Sequence, residues 1–413
     1  GGVRAGEISA AAAPAGISAP RAYGGELLRT MVLPRLMWDE GRVKGGAYAA
    51  SSDVLRKQSL FGGFAIAPGN GDRELFALYE HRRWRPTLFL EYYHQKRHTS
   101  RGDSSEARDA IITGMNFSLN QVSAGLRIGD ERPSLRRQFT LSLTYDRYDA
   151  GLDWEAFVPR SDGAPGFERR RMKPIGYTYL NGFALGARYD YQTVERRRDR
   201  DINPRGGRRI RFRYDRVFNY FLEEFNRSNA SFLEEVYLGL FYNQWDLDWK
   251  EYLGTPFGTA LELRFFGGWI DSDEVDDDDR VNDFFDYHIG GLQYMKGYTF
   301  YSIEGRKAAM GSALFRFPLL PDMRKRLFHI YLDKLYGALY GSLGKAWDGE
   351  FGDPDPFYGR SGPLRDIGFQ LRLDSISYYS LPTRAQADLA RGIDELPGRS
   401  PWKFYLTVLF GYL

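Results

Sequence analysis

The chain has 413 residues, 57 Lys+Arg against 54 Asp+Glu, and no cysteine. Near-balanced charge provides no basic excess to neutralise phosphates, which excludes nucleic acid as the main partner. The absence of cysteine excludes disulfides and thiolate chemistry and suits an oxidising compartment. Mean hydropathy is −0.49, and charges interrupt every apolar run before it approaches ~18 residues. Transmembrane helices are thereby excluded, but transmembrane strands are not, because lumen-facing charges hide their signal. Aromatics make up 16% of the chain and Gly numbers 46, a mixture that suits membrane-interface girdles and close-packed strands.

Residues 1–25 lack a basic region followed by an apolar core, so they carry no secretory signal. The expectation is a linker, centred on Ala10-Ala11-Ala12-Ala13-Pro14-Ala15-Gly16, that follows a missing N-terminal periplasmic domain. Residues 26–413 then form the barrel. Period-2 segments recur along it. Phe139, Leu141, Leu143 and Tyr145 alternate with Thr140, Ser142, Thr144 and Asp146; Ile210, Phe212 and Tyr214 alternate with Arg209, Arg211 and Arg213. Leu261, Leu263 and Phe265 alternate with Glu262 and Arg264, and Ile367, Phe369, Leu371 and Leu373 with Gly368, Gln370, Arg372 and Asp374. Bulky apolar side chains on one face and repeated arginines on the other suit a lipid-facing wall around a wet interior. Arg209, Arg211, Arg213, Arg264, Arg316 and Arg372 are expected to pair with Glu262, Asp146 and Asp374, filling the interior; an anion-preferring pore is the other reading of them.

Sixteen strands are predicted, near 26–38, 44–54, 57–68, 73–82, 86–98, 110–128, 134–149, 176–194, 207–221, 230–247, 257–271, 306–318, 333–346, 364–379, 381–392 and 402–413. The fold class is all-β: a closed, 16-stranded antiparallel transmembrane β-barrel. The long connections (99–109, 150–175, 272–305, 347–363) follow odd-numbered strands. Short turns such as Arg83-Trp84-Arg85 and Gly129-Asp130-Glu131-Arg132-Pro133 follow even-numbered ones. Long loops face outward and short turns the periplasm, which places both termini in the periplasm. Pro34 interrupts the first strand and weakens its pairing with the last; a bulge or strand end is the other reading. The last strand sets Phe404, Leu406, Val408, Phe410 and Tyr412 against Tyr405, Thr407, Leu409 and Gly411, and such a strand exposed in water would aggregate.

Five motifs in order make the pattern more specific. They are Asn203-Pro204-Arg205-Gly206-Gly207, Gly290-Gly291-Leu292-Gln293-Tyr294-Met295-Lys296-Gly297-Tyr298, Ser312-Ala313-Leu314-Phe315-Arg316-Phe317-Pro318, Tyr340-Gly341-Ser342-Leu343-Gly344, and the aromatic C-terminal strand. Over about residues 180–413 the chain resembles the outer-membrane assembly superfamily, the BamA/TamA-like bacterial surface-antigen barrels, as a divergent member. The resemblance implies an outer loop that folds into the lumen, where its arginine pairs with an aspartate of the F-x-D-x-G strand. Here those positions are Lys296 and Ser342, and the glutamate of the E-x-R-F-P strand is Leu314. Lysine lacks the bidentate guanidinium fork, so the exchange is not conservative. Gly290, Gly291, Lys296, Gly297, Tyr298 and Ser342 are the loop-docking candidates, with Lys296 expected near strands twelve to fourteen. Pro34 with Phe404, Leu406, Val408, Phe410 and Tyr412 are the seam candidates.

The resemblance implies insertion or translocation of outer-membrane polypeptides through a lateral seam in the bacterial outer membrane, with lipids, client proteins and a periplasmic partner or fused domain as partners. The alternatives are a passive barrel that anchors a periplasmic domain or complex, and a pore. No cofactor is expected. His81, His94, His98, His288 and His329 show no H-E-x-x-H spacing, and the absence of a G-x-S-x-G elbow likewise points away from an enzyme. The run Asp271, Asp273, Glu274, Asp276, Asp277, Asp278 and Asp279 is oxygen-rich enough for calcium but reads first as a solvated loop.

Overall fold

The computed structural model describes residues 29–410 apart from 40–41, 56, 69–70, 101–105, 108–109, 133–134, 160–166, 172, 174, 195–203, 205, 228–232, 273–284, 300–301, 354–360, 378–380, 395 and 397–400. Sixteen long strands organise it: β1 (Arg29–Asp39), β2 (Arg42–Ser52), β3 (Gln58–Ile66), β4 (Arg73–His81), β5 (Thr87–Ser100), β6 (Ala110–Arg132), β7 (Leu135–Pro159) and β8 (Ile175–Gln192). These are followed by β9 (Gly206–Arg227), β10 (Leu233–Gly254), β11 (Ala260–Ser272), β12 (Lys307–Leu320), β13 (Ile330–Trp347), β14 (Leu364–Ser377), β15 (Leu381–Gly392) and β16 (Trp402–Phe410). Each pairs antiparallel with the next, giving an unbroken meander. Short strands at 106–107, 167–171 and 325–327 lengthen three of the hairpins, so the sheet counts nineteen. Each expected segment overlaps one long strand. Among the described residues, β1 pairs only with β2 and β16 only with β15.

Several strands outrun expectation, among them β9, to Arg227 rather than 221, and β10, to Gly254 rather than 247. β6 runs through Gly129-Asp130-Glu131-Arg132, expected as a turn, and β7 continues to Pro159, into the expected 150–175 loop. Backbone pairing is indifferent to side-chain polarity where water surrounds the ribbon, so polar sequence did not end the ladder. Pro34 neither bulges nor ends β1: the register is continuous from Arg29↔Ser52 through Pro34↔Ala47 to Asp39↔Arg42. A residue without an N–H fits there if its nitrogen faces away from β2, as suits a strand with one partner.

The two faces have opposite chemistry. Phe139, Leu141, Leu143 and Tyr145 on β7, Leu263, Phe265 and Trp269 on β11, Ile367 and Leu371 on β14, and Phe404 and Leu406 on β16 are all exposed. Apolar surface repeated across the sheet in this way exceeds the few hundred Å² that a water-soluble monomer leaves uncovered. The inner face holds ion pairs: Arg316–Glu262 (3.4 Å), Arg372–Asp374 (3.0 Å), Arg264–Asp248 (2.8 Å), Arg211–Asp190 (3.0 Å) and Arg213–Asp215. Glu262 and Asp374 take their expected partners, whereas Asp146 accepts from Gln121 at 2.7 Å. That exchange reflects spacing, since Asp215, two residues along the same inner face, already holds Arg213. No helix among the described residues is long and apolar enough to cross a membrane.

Candidate functional site: a connection folded onto the inner face

The long connection between β11 and β12 turns back onto the inner face. Tyr287 and His288 pair with Gly305 and Glu304, and Ile289 N–H donates to Ile303 at 3.0 Å. A tight knot follows: Gly291 N–H reaches the carbonyls of both Met295 and Tyr298 at 3.0 Å, and Gly290 bridges Met295. Gly291 has φ 87°, a left-handed conformation that glycine adopts without a Cβ penalty. The knot supplies the apolar core that the polar inner face lacks. Ile289, Met295, Tyr298 and Ile303 are buried among Phe266, Ile270, Met310, Leu364 and Leu396. At the β10 side, the Tyr287 hydroxyl donates to the Asp246 carboxylate, and Arg264 donates to the Gln293 carbonyl at 2.6 Å while stacking over Tyr294.

The far end of the knot is fixed by charge. Lys296 Nζ donates to Asp388 Oδ1 at 2.6 Å and lies 4.7 Å from the centre of the Tyr340 ring. Asp388, on β15, is 0% exposed and fully satisfied: Gln370 donates to the same oxygen at 2.8 Å, and Gln386 to the other at 2.7 Å. Gly297 N–H donates to Asp366 on β14 at 2.8 Å. The Tyr298 hydroxyl lies 2.7 Å from the Arg365 carbonyl and 3.1 Å from that of Asp394, and accepts the Asp394 N–H at 3.2 Å. Desolvation pushes its phenol up to about 12, so it remains a protonated donor at any physiological pH. Tyr405 of β16 donates to the Lys296 carbonyl at 3.0 Å. A knot closed on itself that touches β10 at one end and β16 at the other requires the sheet to curve around it.

Gly290, Gly291, Lys296, Gly297 and Tyr298 thus come together, and Ser342 lies beneath them on β13, buried and directly opposite Asp366 in the ladder. The expected partner strands hold in part. Lys296 meets β13, within the expected wall, through Tyr340, but its ion pair and its carbonyl's partner lie beyond that wall, at Asp388 on β15 and Tyr405 on β16. With serine at 342, the carboxylates that receive the knot stand one and two strands further on, at Asp366 and Asp388. Sequence reasoning missed Asp366, Asp388 and Asp394. The signal was there for Asp388, an acid among small residues in Ala385-Gln386-Ala387-Asp388-Leu389-Ala390. At the edges of the sheet, Pro34, Phe404 and Leu406 are exposed; Val408 and Phe410 continue the β16 backbone ladder, and Tyr412 lies outside the described residues. Of the acidic run only Asp271, at the end of β11, is described.

A second connection is pinned beside the knot. Lys345 of β13 donates to the carbonyls of Phe351 (2.6 Å), Asp353 (2.9 Å) and Ser361 (2.8 Å), which uses all three of its N–H groups. Lys345→Met is expected to remove about 2–3 kcal/mol of local stability there. Amide exchange over 348–353 should accelerate on the order of 10–100-fold. Unchanged exchange would show that the connection holds itself.

The fold matches solved structures. BamA from Haemophilus ducreyi, in a crystal structure lacking POTRA domains 1–3, superposes with a TM-score of 0.54 at 11% identity, covering 92% of this chain and 69% of that one. CdiB from Escherichia coli gives 0.55 at 11% identity, and CdiB from Acinetobacter baumannii 0.50 at 12%. Each covers 92% of this chain, which spans 61% and 58% of theirs. The sequence resemblance to the surface-antigen barrels therefore holds at the level of fold. No protein-family model and no curated protein matches the sequence.

Proposed function

We propose that this chain is a divergent BamA/TamA-like member of the outer-membrane assembly superfamily: a closed 16-stranded barrel in the bacterial outer membrane that inserts or translocates outer-membrane polypeptides. The observation that carries the reading is the knot at 287–298, folded onto the inner face and bound to β13–β16 through Lys296, Gly297 and Tyr298. A barrel whose last strands are held from inside can keep its shape while the seam between β1 and β16 opens. An edge so exposed offers backbone donors and acceptors to a client strand. The exposed apolar face supports residence in lipid, and the knot stands against a freely open pore. The reading assigns no cofactor and no catalytic chemistry. Its partners are lipids, client polypeptides and a periplasmic partner or fused domain.

The test is folding of a urea-denatured outer-membrane barrel into vesicles with and without the reconstituted chain. The proposal expects client folding to accelerate at least tenfold, as judged by protease-protected product. A client that folds at the rate seen in empty vesicles would leave the passive anchor as the better reading.

A further inference from the structure

In a meander, alternate connections fall on one edge of the sheet. Those after β2, β4, β10 and β12 share the edge of the short turns, and each presents apolar side chains outward at its tip. Trp84 is 61% exposed, Phe257 96% and Phe328 84%, while Val54, Leu55 and Leu327 are also exposed. Among the described residues, the non-glycine residues with positive φ are Phe257 (60°), Arg324 (42°) and Phe328 (52°), all in two of these turns. A bulky residue in that region is an outlier. Phe257 and Phe328 adopt it while packing against almost nothing, so the folded chain alone gives no return for the strain.

Cations flank the tips. Exposed Arg83 and Arg85 flank Trp84, beside Arg82, which pairs with Glu80; Lys325 and Arg326 precede Leu327 and Phe328, after Arg324, which pairs with Asp322; and Lys57 follows Val54 and Leu55. The opposite edge mixes both signs: Asp348 pairs there with Arg306 and the buried Asp394 with Arg365, beside Glu350, Asp353, Lys173 and the basic 169–171 strand. The tips also continue the outward apolar face: Leu253 opens the turn that carries Phe257, Leu319 and Ile330 bracket the one with Phe328, and Leu88 follows Trp84. Aromatic tips level with the end of an apolar wall, with cations beside them, match the boundary between acyl chains and phosphate headgroups. A protein partner would instead favour one contiguous patch, whereas these tips recur from β2 to β13.

We propose that this rim docks into an anionic phospholipid surface. Trp84, Phe257 and Phe328 would enter the interface while Arg83, Arg85 and Lys325 bind headgroup phosphates. The inference rests on the membrane reading above. The test reconstitutes the chain in phosphatidylcholine bilayers and compares trace spin-labelled phosphatidylglycerol with spin-labelled phosphatidylcholine as immobilised boundary lipid. At low salt the native chain should prefer phosphatidylglycerol roughly three- to tenfold. The triple variant Arg83→Glu, Arg85→Glu, Lys325→Glu should lose that preference, while Arg170→Glu on the opposite edge should keep it. Equal immobilisation of both lipids by the native chain would overturn the proposal, as would a preference that survives the triple variant. Immobilisation of neither lipid would show a chain outside the bilayer, a failure of the membrane reading that takes this proposal with it.

Discussion

Lys296→Met is expected to destabilise the folded chain by about 3–5 kcal/mol, because it strands a buried carboxylate. Asp388 would retain Gln370 and Gln386 as donors but lose the only cation bonded to it among the described residues. The side chain has no water to turn to, since it is 0% exposed. Asp388→Asn should cost less alone, because an amide buried beside two glutamines bears no charge to desolvate. The double variant should be less unstable than the two single costs together predict, the signature of a direct pair. Urea unfolding of the reconstituted chain measures all three, and limited proteolysis over 290–299 reports whether the knot has left the inner face. An unchanged midpoint for Lys296→Met would mean that the apolar core alone holds the knot.

Gly297→Ala should unseat the same knot by crowding. A Cβ there would stand 2.6 Å from the Gly392 nitrogen, 2.7 Å from the Arg391 carbonyl carbon and 2.7 Å from Asp366 Cβ. Two of those atoms are backbone of β15 and cannot swing aside. The strand would have to move, or the Gly297 N–H would lose Asp366 and the Tyr298 hydroxyl its carbonyls. Overpacking of this kind costs about 1–3 kcal/mol. The control is Gly341→Ala on β13, where the nearest atom would be 3.5 Å away and the change should be small. Equal effects at both positions would remove the close approach as the reason for glycine at 297.

The parts of this molecule that follow a period were legible in the sequence. Alternation at 139–146 and 367–374 gave both the strands and their outward faces, because a strand that separates lipid from water must sort its residues that way. Strand ends were less legible: β6 and β7 run on through Asp130, Glu131 and Asp153, since a ribbon in water pairs charged residues as readily as apolar ones. The knot was visible at Gly290-Gly291 and Gly297-Tyr298, where backbone geometry demands particular residues. Its acceptors were not. Nothing local marks which of several inward carboxylates a lysine 92 positions away will find, and the move from Ser342 to Asp388 is a fact of how the sheet curves.

If clients pass between β1 and β16, that seam must open, and a covalent cross-link across it tests the proposed route. In a chain without cysteine, pairs with one cysteine within 30–36 and its partner within 404–407 can be introduced and oxidised in vesicles before denatured client is added. With cross-linking complete, client folding is predicted to fall to the rate in empty vesicles and to recover with reductant. Undiminished folding behind a fully cross-linked seam would contradict the account.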